Sequence, residues 1–264
     1  MKFSRKILGL PYAVFLILFV VMPLLVLFYY AFTNRSGQFT VSNLTGFFTD
    51  PNTMGTLCYS FALSFVTTVV CLLLAYPVAY ILATSRLKAK SVFLLAFVLP
   101  MWINFSLRIT ALKEVLSMIE KNLAYYPFLN SVIGMTYDFL PFMILPIYNV
   151  IEKIPNSLSE AARDLGADSA GTFLHVTLPL SVPGIISGVS MVFLPAMTNY
   201  VVLDMLYNST YIMGSLIGSF FSAYNWHGGS MIALILLAII LLFNLVTDSF
   251  GEDEDERRKG GAVL

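Results

Sequence analysis

Residues 57–83 have the sequence LCYSFALSFVTTVVCLLLAYPVAYILA and contain no charged side chain. A helix of about 20 apolar residues crosses the roughly 30 Å hydrocarbon core of a bilayer, so this stretch predicts a transmembrane helix. The segment that follows is basic, with Arg86, Lys88 and Lys90. An apolar run with a basic flank is typical of a helix that ends at the cytoplasmic surface of a membrane.

Similar apolar runs recur along the whole chain. Of its 264 residues, 58% are hydrophobic and 11% are charged, whereas about 25% of the residues of a soluble domain are charged. The sequence therefore predicts an all-α membrane protein with one transmembrane domain, residues 1–264, and six membrane-spanning helices. The predicted spans lie near residues 7–32, 57–83, 91–112, 128–151, 183–206 and 229–248.

The basic residues are distributed unevenly among the segments that connect these spans. One set of segments, which includes both termini, contains Lys2, Arg5, Lys6, Arg86, Lys88, Lys90, Lys153, Arg163, Arg257, Arg258 and Lys259. The alternate set contains Arg35, Lys113 and Lys121. Because basic residues are retained on the cytoplasmic side, this asymmetry predicts that both termini lie in the cytoplasm. Residues 251–264, which are acidic and then basic, are expected to form a solvated, mobile tail.

Composition and spacing also disfavour several functions. The formal net charge of zero provides no basic field for nucleic acid. Cys58 and Cys71 have neither a disulfide pattern nor a zinc spacing and are expected in the apolar core. His175 and His227 have no metal-ligand partner at helical spacing, so neither a metal site nor an intramembrane enzyme is expected. The phosphate-binding pattern G-x-x-x-x-G-K-[ST] is absent, so no Walker-type ATP site is expected on this chain.

The longest predicted cytoplasmic loop, residues 152–182, has the pattern of two short helices separated by a glycine. Residues 160–165 include strong helix formers, Gly166 interrupts them, and Pro179 is expected to end the second helix. The candidate N-cap residues are Ser157 and Ser159 for the first helix and Asp168 or Ser169 for the second. The loop is thus predicted to form a rigid projection from the membrane.

The motif in this loop resembles the EAA motif of binding-protein-dependent ABC importer permeases. Glu160-Ala161-Ala162 is followed after three residues by Gly166 and, after nine more, by VTLP at 176–179, where the family usually has I-x-L-P. The resemblance implies the type I ABC importer permease fold and a helix that docks on a separate ATPase subunit. The ATPase-coupling residues that it implies are Glu160, Ala161, Ala162, Gly166, Leu178 and Pro179. We call residues 152–182 the EAA loop.

Within this family, the chain is most similar to the first permease subunit of spermidine/putrescine importers, over about residues 92–248. The similar segments are PMWINF at 100–105, LPFMILP at 140–146, IEK at 151–153 and LPAM at 194–197. This resemblance implies a bacterial inner-membrane complex that imports polyamines. Its further components would be a second permease subunit, an ATPase dimer that binds ATP, and an external substrate-binding protein.

Two kinds of alternative function stay open. The EAA motif is shared by importers of other small solutes, such as amino acids, phosphonates or oxyanions. An ion channel is less favoured, because a channel has no need of a projection that docks on an ATPase.

Candidates for the substrate path are the few acids and rings at membrane depth. Ionisable side chains inside spans usually face a cavity or a partner, and the ammonium groups of a polyamine are attracted by carboxylates and aromatic rings. Asp204, with Tyr200 and Tyr207 at helical spacing, is the first candidate. Asp138 and Trp102 are the further candidates.

A structural role is the alternative for each of these side chains. Arg108 lies in the third predicted span, where it is expected to pair with Asp138 or Glu114 and so hold helices together. Tyrosine and tryptophan near span ends commonly form the aromatic belt of a membrane protein instead of a binding site.

Overall fold

The computed structural model describes residues 10–85, 89–207 and 212–260, and among these the side chains between residues 11 and 247. Nearly all of these residues are helical. The chain divides into two compact units, one of Met1–Cys58 and Met213–Leu241 and the other of Tyr59–Ile212 and Leu242–Leu264. The predicted basic flanks that fall on residues 1–9 and 86–88 lie outside the described residues.

The helices are numbered in chain order. They are α1 (Leu10–Leu16), α2 (Met22–Ala31), α3 (Ser42–Thr49), α4 (Pro51–Thr84), α5 (Lys90–Val98), α6 (Phe105–Glu120), α7 (Pro127–Ile151), α8 (Asn156–Asp164), α9 (Ser169–Thr172), α10 (Leu178–Ala196), α11 (Tyr200–Tyr207), α12 (Met213–Ser222) and α13 (Trp226–Gly260). Short 3-10 helices occupy Leu99–Trp102 and Leu123–Tyr125. Single π-helical turns occupy Ile17–Val21 and Phe173–Thr177.

The first unit contains the first apolar helix, Pro11–Ala31, which includes α1 and α2. Pro23 follows the π-turn Ile17–Val21, where the amide of Met22 donates to the carbonyl of Ile17. Since proline has no amide to donate, the wider turn accommodates it without ending the helix. At the other end of α2, the Asn43 amide donates to the carbonyls of Ala31 (2.8 Å) and Thr33 (3.1 Å).

The second unit is built around the packing of α7 against α10. Two glycines on α10 allow this close approach. A Cβ at Gly188 would lie 2.6 Å from Met143 Sδ, and a Cβ at Gly184 would lie 3.0 Å from the carbonyl oxygen of Pro146. Small residues four apart are a common device for packing helices in membranes. The fully buried core beside this contact includes Met143 and Ile147.

The third predicted span, 91–112, is not one continuous helix. Lys90–Trp102 and Phe105–Glu120 meet at an angle of 100°. Pro100 favours a kink in this span, and the apolar run also contains the start of a new helix. Asn104 is the N-cap of α6, and its side chain accepts a hydrogen bond from the amide of Leu107 at 3.3 Å. A side-chain cap of this kind satisfies a donor that the broken helix leaves free.

The fifth predicted span, 183–206, is also divided. One helical segment runs over Ser169–Ala196, and α11 follows after a break at 197–199. The carbonyl of Pro195 accepts the amides of Thr198 (3.0 Å) and Asn199 (2.9 Å), which turns the chain. Pro179, expected to end a helix, lies instead in the first turn of α10, directly after the π-turn Phe173–Thr177. That turn accommodates its missing amide, as the first π-turn does for Pro23.

The remaining predicted spans lie within longer helices or match them closely. Within the described residues, the long apolar helices are Pro51–Thr84, Pro127–Ile151 and Trp226–Thr247, besides the two already given. The described residues therefore hold five helices able to cross a membrane, or six if the bent pair is one span. Helix α13 continues to Gly260, through residues for which the sequence predicted a mobile tail.

Candidate functional site

The motif glycine of the EAA loop ends helix α8. Gly166 has φ of 90°, and its amide donates to the carbonyl of Arg163 at 2.9 Å. The amide of Ala167 donates to the carbonyl of Ala162 at 3.0 Å. These two bonds form a Schellman C-cap, which needs a left-handed residue at the position that Gly166 occupies. The motif places Gly166 four residues after Ala162, which is the spacing that this cap requires.

The backbone conformation at position 166 requires glycine, whereas the space around it would admit a side chain. A Cβ at Gly166 would meet nothing within 4 Å. A side chain there would be strained only because an L-residue disfavours this value of φ, most of all when it is β-branched.

The helix starts of the EAA loop agree with the sequence in one case and differ in the other. Asp168 is the N-cap of α9, and its carboxylate accepts the amide of Gly171 at 2.7 Å, as predicted. The prediction of Ser157 or Ser159 as the cap of α8 is wrong. Pro155 takes that position without a side-chain cap, and both serines lie inside the helix. The fixed φ of proline prepares the chain for a helix start without a capping side chain.

The EAA loop exposes apolar side chains beside the motif. Leu158 is 43% exposed and Leu165 is 90% exposed. Glu160 and Ala161 are exposed, and Ala162 is half-buried. Exposed leucines among small residues are typical of a surface that another protein covers. The structure places Glu160 to Gly166 on one projection, whereas Leu178 and Pro179 lie beyond the π-turn at the start of α10.

An ion pair joins the base of the EAA loop to the start of α5. Lys90 Nζ lies 2.8 Å from Glu152 Oε1, and the Tyr148 hydroxyl donates to the same oxygen at 2.8 Å. The hydrogen bond from Lys90, followed by that from Tyr148, lowers the pKa of Glu152. Sequence reasoning missed this contact because the two charges are 62 positions apart.

A second polar cluster is buried among α6, α7 and the break after α10. The guanidinium of Arg108 pairs with Asp138, and the Asn199 amide donates to the other Asp138 oxygen at 3.4 Å. Arg108 and Asp138 are only 7% and 5% exposed. Arg108 also lies 5.8 Å from the centre of the Tyr137 ring. We call Arg108, Asp138 and Asn199 the junction cluster, because it connects both broken spans.

The junction cluster bears on the predicted role of Asp138. The structure has the pair of Arg108 with Asp138, which was the alternative to substrate contact, and Glu114 is not part of it. The Nε and Nη1 groups of Arg108 are buried without a hydrogen-bond partner among the described residues. Asp138 is thus the counter-ion of a buried cation, and such a carboxylate is costly to remove.

The other predicted path residues fall on two kinds of surface. Asp204 is exposed on α11, and Tyr200, on the same helix, is 42% exposed. The Tyr207 hydroxyl contacts Ser131 and donates to the carbonyl of Pro127 at 2.9 Å, so this ring packs against α7. Trp102 is 85% exposed beside the bend. The structure therefore keeps Asp204 and Tyr200 accessible and gives Tyr207 a packing partner.

A family model matches most of the chain and decides its relationship. Residues 74–252 match the model of the binding-protein-dependent transport system inner membrane component. The chain belongs to this family. It is a multi-pass inner-membrane component of a transport system and not an enzyme. The family agrees with the resemblance of its EAA motif.

Curated relatives cover nearly the full length. The spermidine/putrescine transport system permease protein PotB of Haemophilus influenzae is 35% identical over 93% of this chain and 93% of its own length. The protein of the same name from Escherichia coli is 33% identical over 88% of this chain and 92% of its own. The resemblance to this permease group, which the sequence segments indicated, is confirmed.

Solved structures confirm the predicted type I ABC importer permease fold. A chain of the bacterial alginate ABC transporter in complex with alginate pentasaccharide-bound periplasmic protein superposes with a TM-score of 0.73 at 13% identity, over 92% of this chain and 91% of its own. A chain of the MetNI methionine ABC transporter superposes with a TM-score of 0.60 at 16% identity, over 78% of this chain and 99% of its own. At these identities the likeness concerns the fold alone.

One contact near Asp204 also escaped sequence reasoning. Lys113 Nζ donates to the carbonyl of Met205 at 3.0 Å, at the last turn of α11. A lysine at a helix C-terminus satisfies free carbonyls and complements the helix dipole. In the permease, this bond holds α11, which carries Asp204, to α6. The lone lysine beyond an apolar run gave no signal of this partner.

Proposed function

We propose that this permease subunit moves polyamines, such as spermidine and putrescine, into the cytoplasm as part of an ATP-driven importer. The observation that carries the proposal is the identity of 35% over 93% of the chain to a spermidine/putrescine permease protein. The exposed acid and ring on α11 are in keeping with an extended cation as cargo.

The EAA loop is the proposed contact with an ATPase dimer, which would bind the ATP. Glu160, Ala161 and Ala162 lie in α8, Gly166 follows its end, and Leu178 and Pro179 begin α10. The small alanines permit close seating of α8, and the capped end keeps the projection in one shape. A second permease subunit and an external substrate-binding protein complete the proposed complex.

The proposed substrate path uses Asp204 and Tyr200 first. Trp102 and Tyr207 are further candidates, and Asp138 is the weakest because Arg108 already neutralises it. A carboxylate on α11 would replace part of the hydration that an ammonium group loses in the membrane.

Uptake by the reconstituted complex tests the proposed cargo. The permease, its genetic neighbours for the ATPase and second permease, and the cognate binding protein would be placed in proteoliposomes with ATP inside. We expect uptake of radiolabelled spermidine or putrescine that an excess of unlabelled polyamine abolishes. Uptake of an amino acid, a phosphonate or an oxyanion in place of polyamine would refute the cargo and leave the family membership intact.

Cysteine labelling tests the proposed orientation, with both termini in the cytoplasm. In whole cells, an impermeant thiol reagent should react with Ser42→Cys and should not react with Ser169→Cys. Both side chains are exposed, so burial does not confound the comparison. The reverse pattern would place the EAA loop outside the cell.

A further inference from the structure

A polar cleft lies between the EAA loop and the ends of two membrane helices. Its volume is about 500 Å³, which is within the usual range for a ligand site. Its border includes Thr84, the last residue of α4, and Lys90, the first residue of α5. Since these are the predicted cytoplasmic ends of spans, we expect the cleft to lie at the level of lipid headgroups.

The cleft contains hydrogen-bond donors that the protein leaves unused. The Arg163 guanidinium forms no ion pair with the described residues. The hydroxyls of Ser159, Ser169 and Thr177 form no hydrogen bond within that same part of the chain. Lys90 donates one N–H to Glu152 and keeps two more. The surplus of donors favours a ligand that supplies acceptor oxygens.

The charges narrow the chemistry of that ligand. Lys90 is paired with Glu152, so Arg163 is the cation that a ligand can engage. Guanidinium groups bind phosphate through two parallel hydrogen bonds, and hydroxyls donate to the remaining oxygens. Glu160 also borders the cleft, and its carboxylate disfavours a ligand with several negative charges. A phosphate diester, with one negative charge, fits this balance better than a phosphate monoester.

The opposite wall of the cleft fits the rest of a phospholipid. Tyr80 and Ala83 line it near the end of α4, and between them in the sequence Ile81 is an exposed apolar side chain. A headgroup phosphate beside Arg163 would therefore have apolar surface next to its glycerol and acyl chains. Basic pockets between helices on the cytoplasmic side of membranes commonly bind lipid headgroups.

We propose that this cleft binds the phosphate diester of a phospholipid from the cytoplasmic leaflet. The bound headgroup contacts Arg163 and Ser169 of the EAA loop and the end of α4 together. It thereby links the projection to the membrane helices, and lipid composition adjusts how motion passes between them. This site is independent of the solute that the importer carries.

Lipid binding to the purified complete transporter tests the site. Native mass spectrometry would follow titration of the delipidated complex with phosphatidylglycerol. Arg163→Gln keeps a good helix former and removes the charge, and Thr177→Val removes one buried hydroxyl at nearly constant shape. We expect the Arg163→Gln complex to bind about tenfold more weakly, as for loss of a charge-assisted contact, and Thr177→Val to bind more weakly by a smaller factor. Lys153→Gln, which removes an exposed cation outside the cleft on the same predicted side, should bind as the wild type does.

Three results would overturn the proposal. The first is unchanged lipid binding in both cleft variants when their complexes assemble normally. The second is saturation of the cleft by inorganic phosphate with no Arg163-dependent lipid binding, which would assign it to a free anion. The third is release of the ATPase by Arg163→Gln with lipid binding intact, which would assign Arg163 to the subunit interface. None of these outcomes depends on polyamine uptake, so the cargo and the lipid site are tested separately.

Discussion

The EAA loop and the junction cluster are the two most informative polar regions of this permease, and they are built in opposite ways. The EAA loop uses neighbouring residues, is exposed, and ends its first helix with a local cap at Gly166. The junction cluster joins Arg108 and Asp138 from two helices with Asn199 from the break after α10, and it buries its ion pair. A surface that binds a partner needs a fixed shape, which neighbouring residues can provide. A buried charge needs a counter-ion, which can come from a distant part of the chain.

The largest expected effect comes from separating the buried pair. Asp138→Asn leaves the Arg108 charge uncompensated, and breaking a buried ion pair from one side typically costs about 3–5 kcal/mol. We expect a sharp fall in the yield of assembled complex and in its thermal unfolding midpoint. The double variant Arg108→Met/Asp138→Asn should recover much of the loss, because no unpaired charge remains. Equal instability of the single and double variants would show that the pair is not the source of the cost.

The next effect concerns the capped end of α8. Gly166→Val should abolish coupled uptake, because a β-branched residue at a φ of 90° is strained by about 1–3 kcal/mol and displaces the projection. Gly166→Asn should retain more uptake, since asparagine tolerates the left-handed region. Uptake and ATP hydrolysis stimulated by the binding protein would both be measured.

The control for this series is Gly218→Val. A Cβ added at Gly218 would also meet nothing within 4 Å, but the φ of this glycine is not positive. The substitution therefore adds the same side chain without the backbone strain. If Gly166→Val transports and hydrolyses ATP normally, the coupling role of the loop is refuted.

A smaller effect is expected on α11. Asp204→Asn keeps the shape and removes a charge-assisted contact worth roughly 1.5–3 kcal/mol, so polyamine uptake should fall by about tenfold or more at unchanged assembly. Glu114→Gln removes another exposed acid and should transport normally. Wild-type uptake by Asp204→Asn would make Asp204 incidental, and loss of assembly would make it structural.

The smallest effect is expected at the half-exposed pair of Lys90 and Glu152. Glu152→Gln should lower the unfolding midpoint slightly, and salt should reduce the difference from the wild type. Because the pKa of Glu152 is lowered from its ordinary 4.5, the pair stabilises the fold above that pH. Its contribution is lost as the pH falls through the lower folded-state value. A difference from the wild type that persists in acid and high salt would contradict an electrostatic origin.

Sequence patterns predicted local features well. The helix ends at Asp168 and Gly166 could be read from the sequence because a cap depends on residues within a few positions. The cap of α8 was assigned wrongly because serines near a helix start are common, and because Pro155 occupies the N-cap position without a capping side chain. In the third and fifth spans, Pro100 and Pro195 favour kinks, but the size of each bend could not be predicted from hydropathy, because a bent helix is as apolar as a straight one.

By itself, the sequence determined the helical membrane class, the family and the EAA loop, because apolar length and short-range spacing are properties of the chain. Only the tertiary structure decided that Arg108 faces Asp138, that Lys113 holds α11, and that Arg163 and Lys90 border one cleft. Each of these contacts joins residues from different helices. Their proximity follows from how the helices bend and pack, which depends on the sum of many contacts and not on any one stretch of sequence.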